Sequence, residues 1–189
     1  MNYRKFILIL CFFLTVIFPE TTAADPSPSL TIPLDHRVDN RIVQITRDPV
    51  KKLYYEEILL DKHHYIEYFK LVFMEHGLPK ELAYLCVIES GLNPRAKSSM
   101  DAYGLWQFMY PTAEELGLRI NFWLDERSDY KESTYAAAFY LKKLFHSFKS
   151  WEYAIASYNL GIGKLRRALR EANNGLNIQD LSIPSETKD

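Results

Sequence analysis

The sequence predicts an all-α fold. No stretch of the chain alternates apolar and polar residues as a half-buried strand would, and no segment repeats another. Apolar residues instead recur at helical spacing, as at Ile66, Phe69, Val72 and Phe73. A chain of 189 residues that is 48% hydrophobic and 25% charged suits one globular domain with short flanking segments.

The first 24 residues have the order of a secretory signal peptide. Arg4 and Lys5 precede an apolar run, 6–18, and small residues at 21–24 offer a cleavage site. The run is shorter than the roughly 20 residues of a membrane-spanning helix, so export with cleavage is favoured over a retained anchor. Cys11 follows the bulky Leu10, which argues against lipoprotein processing. We therefore expect a protein of the periplasm or cell envelope that contacts the membrane only if this segment is retained.

Residues 25–47 contain Pro26, Pro28 and Pro33 and are predicted to form an extended linker. A helical domain is expected over 48–172, followed by a polar tail, 173–189. After cleavage Cys86 would be the remaining cysteine, so no internal disulfide is expected, and its apolar setting is typical of a small buried side chain. The net charge of −1 gives no sign of nucleic-acid binding. No His or Cys spacing fits a metal site, no cofactor is expected, and we expect a monomer.

Helix signals divide the domain into segments. Two amphipathic helices should end at Gly77, and Pro79 should open a helix that reaches Glu89, before an irregular stretch, 90–103. Capping boxes at 112–115 and 129–132 predict a short helix and a long one. A further helix should run from Trp151 to Asn159, and the last from Lys164 to Ala172.

Glu89 ends an otherwise apolar helix stripe that includes Leu82, Leu85 and Cys86. The negative end of the helix dipole disfavours a carboxylate there, and apolar neighbours would desolvate it. Both effects raise the pKa of the carboxyl, which is what a general acid acting on a glycosidic oxygen requires. On the helix alone, an ordinary glutamate facing solvent is the favoured interpretation, because acidic residues are mostly exposed.

Three motifs carry a resemblance to a known family: "ESGLNPRAKS" at 89–98, "GLWQFMYPTAEELGL" at 104–118 and "ASYNLGIG" at 156–163. Together they resemble the lytic transglycosylase family, whose soluble-type catalytic domain is related to goose-type lysozymes. The resemblance covers roughly 48–172 and is nearest to the branch of membrane-bound lytic murein transglycosylase D. The matching positions are Glu89, Ser90, Asn93, Pro94, Ala96, Ser98, Ala102, Gly104, Leu105, Gln107, Pro111, Thr112, Ala113, Tyr158, Asn159 and Gly161.

The chain departs from the family pattern at a few positions. Leu92 stands where the family usually has Phe, Asp101 where it commonly has Gly, and Trp106 where it has Met. Leu160 and Ile162 replace small residues in the last motif. None of these positions has a chemical role in the family's reaction.

The resemblance implies a lysozyme-like helical domain with a groove for peptidoglycan glycan strands. It implies that Glu89 protonates the bond between N-acetylmuramic acid and N-acetylglucosamine, and then, as a base, helps the C6 hydroxyl close a 1,6-anhydro ring. The family mechanism needs no second carboxylate. Asp101 and Asp125 are the acids near the motifs, and for Asp125 a cap or an ion pair with Arg127 is the more ordinary role.

The resemblance also suggests substrate-binding residues. Ser90 and Ser98 could bind near the N-acetyl group or orient Glu89, although capping of a loop or helix end is an equal alternative. Gln107 could bind sugar hydroxyls or amides, and Tyr158 and Asn159 are expected in the active site. Aromatic and apolar residues suit either a sugar-binding groove or the core: Tyr103, Trp106, Met109 and Tyr110.

The sequence leaves two other functions open. A lysozyme-like muramidase with the same fold would let water attack instead of the C6 hydroxyl. A non-catalytic wall-binding module would keep the fold for recognition alone.

Overall fold

A computed structural model describes residues 49–172. The predicted signal peptide with Cys11, the linker at 25–47 and the polar tail at 173–189 lie outside the described residues. Within 49–172 the chain forms α-helices and 3₁₀ turns, and β-pairing is limited to isolated bridges such as Tyr103 with Phe108. The predicted all-α fold is confirmed.

The helices follow the chain in seven α-helical segments within 49–172. They are α1 Pro49–Asp61, α2 His63–Glu75, α3 Leu85–Ser90, α4 Tyr110–Glu115, α5 Tyr130–Phe148, α6 Trp151–Leu160 and α7 Ile162–Ala172. Two 3₁₀ helices, Lys80–Tyr84 and Glu126–Ser128, precede α3 and α5.

The core is centred on Trp106, which is fully buried between two aromatic rings of α2. Its ring lies 5.2 Å from that of Phe69 and 5.4 Å from that of Phe73, between ring centroids. The indole N–H donates to Thr134 Oγ1 of α5 at 3.0 Å. The sequence left open whether Trp106 lines a sugar-binding groove or fills the core, and the structure shows that it is a core residue. Its contacts also hold its loop against both α2 and α5.

The segment that ends at Glu89 is built differently from the prediction. Residues Lys80–Tyr84 form a 3₁₀ helix rather than the first turns of one α-helix, with Leu82 N–H donating to Pro79 O at 3.2 Å. The α-helix proper is only Leu85–Ser90, and it stops at Gly91, whose φ of +59° is left-handed. The apolar stripe nevertheless faces the core, since Leu82, Leu85 and Cys86 are all fully buried.

The predicted capping box at Thr112 is wrong. Helix α4 begins two residues earlier, at Tyr110, and Pro111 occupies its first turn, where its missing N–H costs nothing. Thr112 thus lies inside the helix. At 129–132 the predicted N-cap is confirmed, because the Asp129 carboxylate accepts the N–H groups of Lys131 at 2.8 Å and Glu132 at 3.1 Å, whereas the Asp129 N–H donates to Glu126 O rather than to the Glu132 side chain.

Small residues let α5 and α6 pack closely. The two helices contact each other, and both carry buried alanines: Ala136, Ala137 and Ala138 in α5 and Ala154 and Ala156 in α6. Ser150 caps α6, and Gly161, with φ of +83°, ends it as expected. This packing fixes the last turn of α6 relative to the core.

None of the helices within 49–172 combines the length and apolar character that crossing a membrane requires.

Gly104 fixes the loop after α3 against the 3₁₀ helix before α5. Its φ is +83°, and a Cβ built there would lie 1.8 Å from the carbonyl oxygen of Arg127. The Gly104 N–H also donates to Ala96 O at 2.9 Å. Only glycine allows this close contact between two backbone segments.

We expect Gly104→Ala to lower the free energy of unfolding by at least about 2–3 kcal/mol, because the methyl group forces the two backbones apart. Denaturant unfolding followed by circular dichroism measures this change. Gly163→Ala is the matched control, since nothing lies within 4 Å of its added Cβ. In helix α7 that control should leave stability unchanged or raise it by up to about 1 kcal/mol. Equal effects of the two substitutions would contradict the proposed contact.

Candidate active site

Glu89 lies at the penultimate position of α3, with its side chain emerging from the buried face of the segment. Residues 85–88 before it are all buried. One carboxyl oxygen, Oε1, is buried and has no hydrogen-bond partner among the described residues. An unpartnered buried carboxylate oxygen is costly in a folded protein, so this geometry is typical of a group that awaits a ligand or holds a proton.

Burial raises the pKa of Glu89 from its ordinary value of 4.5 to about 8. Desolvation disfavours the charged form, since the apolar surroundings solvate a carboxylate poorly. Near neutral pH the carboxyl is therefore largely protonated. The prediction that apolar neighbours raise this pKa agrees with the structure.

Tyr158 of α6 is close enough to Glu89 for the two groups to interact electrostatically. Burial raises the pKa of Tyr158 well above 10, and the charge of Glu89 raises it further. The phenol donates to Trp106 O at 2.7 Å, and its ring packs near those of Phe108 and Tyr140. Tyr158, from the motif at 156–163, thus lies close to Glu89, from the motif at 89–98. Its hydroxyl group donates to a carbonyl of the motif at 104–118.

The loop 104–107 is held from two sides. On one side Cys86, which lies in the same helix as Glu89, donates its Sγ–H to Leu105 O at 3.1 Å. On the other side the Tyr158 hydroxyl donates to the next carbonyl oxygen, that of Trp106. Burial raises the pKa of Cys86, so its thiol keeps the proton that makes this bond. Cys86 is buried as predicted, and it also positions the loop.

Gln107 is bound mainly to its own loop. Its φ is +49°, and Nε2 donates to Ala96 O at 3.0 Å and to Gly104 O at 2.9 Å. Both amide hydrogens are therefore used by main-chain carbonyls. Only Oε1 is left to accept a hydrogen bond from a sugar. The sequence suggested that Gln107 could bind sugar hydroxyls or amides, and the structure limits it to accepting from such groups.

Both predicted serines have local hydrogen bonds. Ser90 Oγ–H donates to Cys86 O at 3.0 Å, one helical turn back. Ser98 Oγ accepts the N–H groups of Met100 at 3.2 Å and Ala102 at 3.0 Å, and so shapes the loop between them. The capping alternative thus describes their contacts within the chain, and binding of substrate by either serine stays a prediction.

The remaining predicted contacts differ in exposure. Asn159 is exposed, with Nδ2 3.5 Å from Ile155 O, and Met109 and Tyr110 are 40% and 48% exposed. Tyr103 is half-buried, with the guanidinium of Arg127 5.1 Å from its ring centroid. These side chains are available to a ligand, whereas Trp106 is not.

The two acids considered as second carboxylates are both paired. Asp101 is exposed, has a φ of +63° and forms an ion pair with Lys97 at 2.8 Å. The left-handed backbone explains why glycine is common here in the family. Asp125 grips Arg127, with Nη2 to Oδ2 at 2.7 Å and Nε to Oδ1 at 3.0 Å. The expected ion pair of Asp125 with Arg127 is confirmed.

Sequence reasoning missed the second role of Arg127. Its buried guanidinium donates through Nη1 to Asp101 O at 3.2 Å and to Phe108 O at 3.1 Å. Arg127 therefore links the loop at 101–108 to the 3₁₀ helix that precedes α5. Its chain neighbour Asp125 was a signal for the ion pair, but nothing in the sequence indicated the carbonyl partners.

No group of three or more His, Cys, Asp or Glu side chains within the described part of the chain is arranged to hold a metal ion.

A helical domain with a protonated acid at the end of a short buried helix is the arrangement expected of an enzyme that cleaves polysaccharides. The chain belongs to the Transglycosylase SLT domain family, whose model matches residues 70–180. This match confirms the resemblance found in the motifs.

Curated relatives carry related names. The chain is 29% identical over 141 residues to membrane-bound lytic murein transglycosylase D of Escherichia coli strain K12, covering 72% of this chain and 31% of that protein. It is 37% identical over 107 residues to membrane-bound lytic murein transglycosylase F of Desulfosudis oleivorans, covering 52% of this chain and 22% of that one. A protein of Alteromonas sp. strain M-1 named for tributyltin chloride resistance is 37% identical over 114 residues, covering 60% and 55%. The chain thus spans about half or less of the length of these relatives.

We expect the stability of the protein to fall as pH rises from about 4.5 toward 8, because the folded state keeps the Glu89 proton that the unfolded state loses. The stabilising contribution is full below pH 4.5 and is lost as pH rises through the folded pKa. Its size is at most a few kcal/mol. Denaturant unfolding across this pH range should show a flatter profile for Glu89→Gln than for wild type. Glu114→Gln, at an exposed position of α4, should keep the wild-type slope, and a wild-type slope in Glu89→Gln would contradict the raised pKa.

We expect Asp125→Asn to lower the free energy of unfolding by about 3–5 kcal/mol, because it leaves the buried Arg127 guanidinium without its carboxylate. Asp101→Asn should change stability little, since its ion pair is exposed. Any catalytic turnover per folded molecule should survive both changes. Loss of turnover in folded Asp101→Asn protein would show instead that a second carboxylate takes part.

Proposed function

We propose that the protein is a peptidoglycan lytic transglycosylase whose catalytic domain is 48–172. The reaction is cleavage of the β-1,4 bond between N-acetylmuramic acid and N-acetylglucosamine, with a 1,6-anhydromuramoyl product. The observation that carries this proposal is the carboxyl of Glu89, whose Oε1 is buried without a partner among the described residues and whose pKa is about 8, in a chain of the transglycosylase SLT family. The relatives named as lytic murein transglycosylases support the same activity.

The first step uses Glu89 as an acid. Its proton passes to the glycosidic oxygen, the bond from that oxygen to C1 of the muramic acid breaks, and the N-acetylglucosamine end leaves as an alcohol. The acetamido group of the same muramic acid stabilises the positive charge at C1. A raised pKa favours this transfer, since the carboxyl holds its proton near neutral pH and releases it to a poor leaving group.

The second step uses Glu89 as a base. The C6 hydroxyl of the same sugar attacks C1, a C1–O6 bond forms, and the hydroxyl proton passes to the Glu89 carboxylate. No water is consumed, and the acid returns to its starting state. The apolar surroundings favour this return, because a charged carboxylate is poorly solvated there.

The residues around Glu89 divide into positioning and binding groups. Tyr158 holds the loop 104–107 in place beside the acid through its bond to Trp106 O. Gln107 offers its amide Oε1 to the sugar, and the other proposed substrate contacts are Ser90, Ser98, Asn159 and Tyr103.

The protein is proposed to act in the periplasm or cell envelope after export, on glycan strands and as a monomer. Support comes from the predicted signal peptide at 1–24 and from relatives whose names describe them as membrane-bound.

Digestion of purified peptidoglycan sacculi, followed by mass spectrometry of the released muropeptides, tests this proposal. We expect products one water lighter than those of a hydrolase, because the C6 hydroxyl replaces water as the nucleophile. Glu89→Gln should reduce turnover by roughly 10²–10⁴-fold or more, since the general acid is lost. Glu114→Gln is the control and should cleave at the wild-type rate.

Three outcomes would overturn the proposal in different ways. Products that carry the added water would identify a muramidase. Equal clearing of sacculi by folded Glu89→Gln and wild-type protein would remove Glu89 from the chemistry, and binding of sacculi without any cleavage would identify a wall-binding module.

A further inference from the structure

The turn at 121–124, between α4 and the 3₁₀ helix before α5, presents two large aromatic side chains to solvent. Phe122 is 88% exposed and Trp123 is 89% exposed, more than any other large hydrophobic side chain in the described part of the chain. Leu124 beside them is 39% exposed. Adjacent aromatic side chains this exposed are uncommon in a soluble domain and mark a binding surface.

The turn is well braced, so the exposure is a property of an ordered structure. Asn121 N–H donates to Leu124 O at 2.7 Å, and Asn121 Oδ1 accepts the N–H groups of Trp123 at 2.9 Å and Leu124 at 3.0 Å. Behind the turn, the buried carboxylate of Glu126 accepts Arg119 N–H at 2.6 Å and Arg119 Nε–H at 2.6 Å. The two aromatic residues are thus held at the tip of a fixed projection.

The arrangement of the rings argues against a platform for sugars. The two ring centroids lie 4.8 Å apart, with their planes at 89°. Rings that stack on a glycan strand must present their faces together, and a perpendicular pair presents one face and one edge. A convex apolar tip fits a medium that closes around it, such as the boundary between lipid headgroups and acyl chains, where Trp and Phe are favoured.

The charges next to the tip do not oppose contact with lipid. The two acids that follow the turn are both paired, Asp125 with Arg127 and Glu126 with Arg119. The Arg119 guanidinium is in turn neutralised, with Nη2 2.5 Å from Glu126 Oε1, so the two ion pairs leave no net negative charge beside the tip. Exposed Trp and Phe without an unpaired carboxylate beside them suit the interfacial region of a membrane, where aromatic side chains are enriched.

We propose that Phe122 and Trp123 insert into the interface of a lipid bilayer and dock the domain on the membrane. The apolar run at 6–18, predicted to direct the chain across a membrane, brings the domain to such a surface. This contact is separate from the leader, so it persists after cleavage. It also does not depend on the proposed activity.

Fluorescence quenching tests the insertion directly. The chain as the cell processes it is mixed with vesicles of phosphatidylethanolamine and phosphatidylglycerol that contain phosphatidylcholine brominated on its acyl chains. Trp123 emission should be quenched and shifted to the blue, because the indole enters the bromine-containing region. Trp106 is fully buried and Trp151 partly buried, so Trp123→Phe should remove most of the quenching.

The Phe122→Ser variant keeps Trp123, whose fluorescence reports insertion, and removes the other aromatic side chain of the turn. We expect about tenfold or more lipid to be needed for the same quenching, since one large apolar side chain no longer leaves water. Phe139→Ser is the matched control: Phe139 is 61% exposed, but on α5, and its loss should leave the quenching unchanged. Release of muropeptides from soluble glycan fragments should be the same in all three variants.

Three results would overturn the membrane contact. One is a Trp123 emission that no vesicle changes in folded protein. Another is an emission change with chitin oligosaccharides but not with lipid, which would identify a sugar site. The third is a change with protein concentration alone, which would identify contact between two copies of the chain.

Discussion

The site depends on the carboxyl group of Glu89, one oxygen of which the fold keeps away from water. Glu89 follows four buried residues, and its Oε1 has no partner among the described residues. In most proteins such a group would be paired or exposed. Here the unfavourable desolvation is the useful property, because it keeps a proton on an acid at neutral pH. The stability lost when this group ionises and the proton that it retains at neutral pH have the same physical cause, which is desolvation of the carboxylate.

The loop 104–108 is fixed from several directions, one of them the helix that carries Glu89. Cys86 holds the carbonyl of Leu105, Tyr158 holds that of Trp106, and Arg127 holds that of Phe108. These donors come from α3, from α6 and from the 3₁₀ helix before α5. Because each carbonyl is held by a different element, the loop cannot shift unless several packed elements move together. Such a rigid loop suits the general-acid role proposed for Glu89, because that role requires fixed surroundings.

Several features could be read from residues near each other in the chain. The caps at Asp129 and the helix stop at Gly77 depend on neighbouring residues, and both were predicted correctly. The start of α4 differs from the prediction because two adjacent residues, Pro111 and Thr112, each signal a helix start. Pro111 lies in the first turn of the observed helix, so the helix begins at Tyr110 and not after Thr112. The 3₁₀ geometry of 80–84 was missed because 3₁₀ and α-helices share much of their spacing at short length.

The sequence by itself determined the helical class, the apolar stripe before Glu89 and the motifs that relate the chain to its family. These follow from periodicity and from residue types at fixed spacing, which are local properties of the chain. Tertiary structure decided what Gln107 and Ser98 bind, that Trp106 belongs to the core, and that Phe122 and Trp123 face solvent. Those outcomes depend on which distant segments meet, and a hydrogen bond or a buried ring is set by partners that the local sequence does not name.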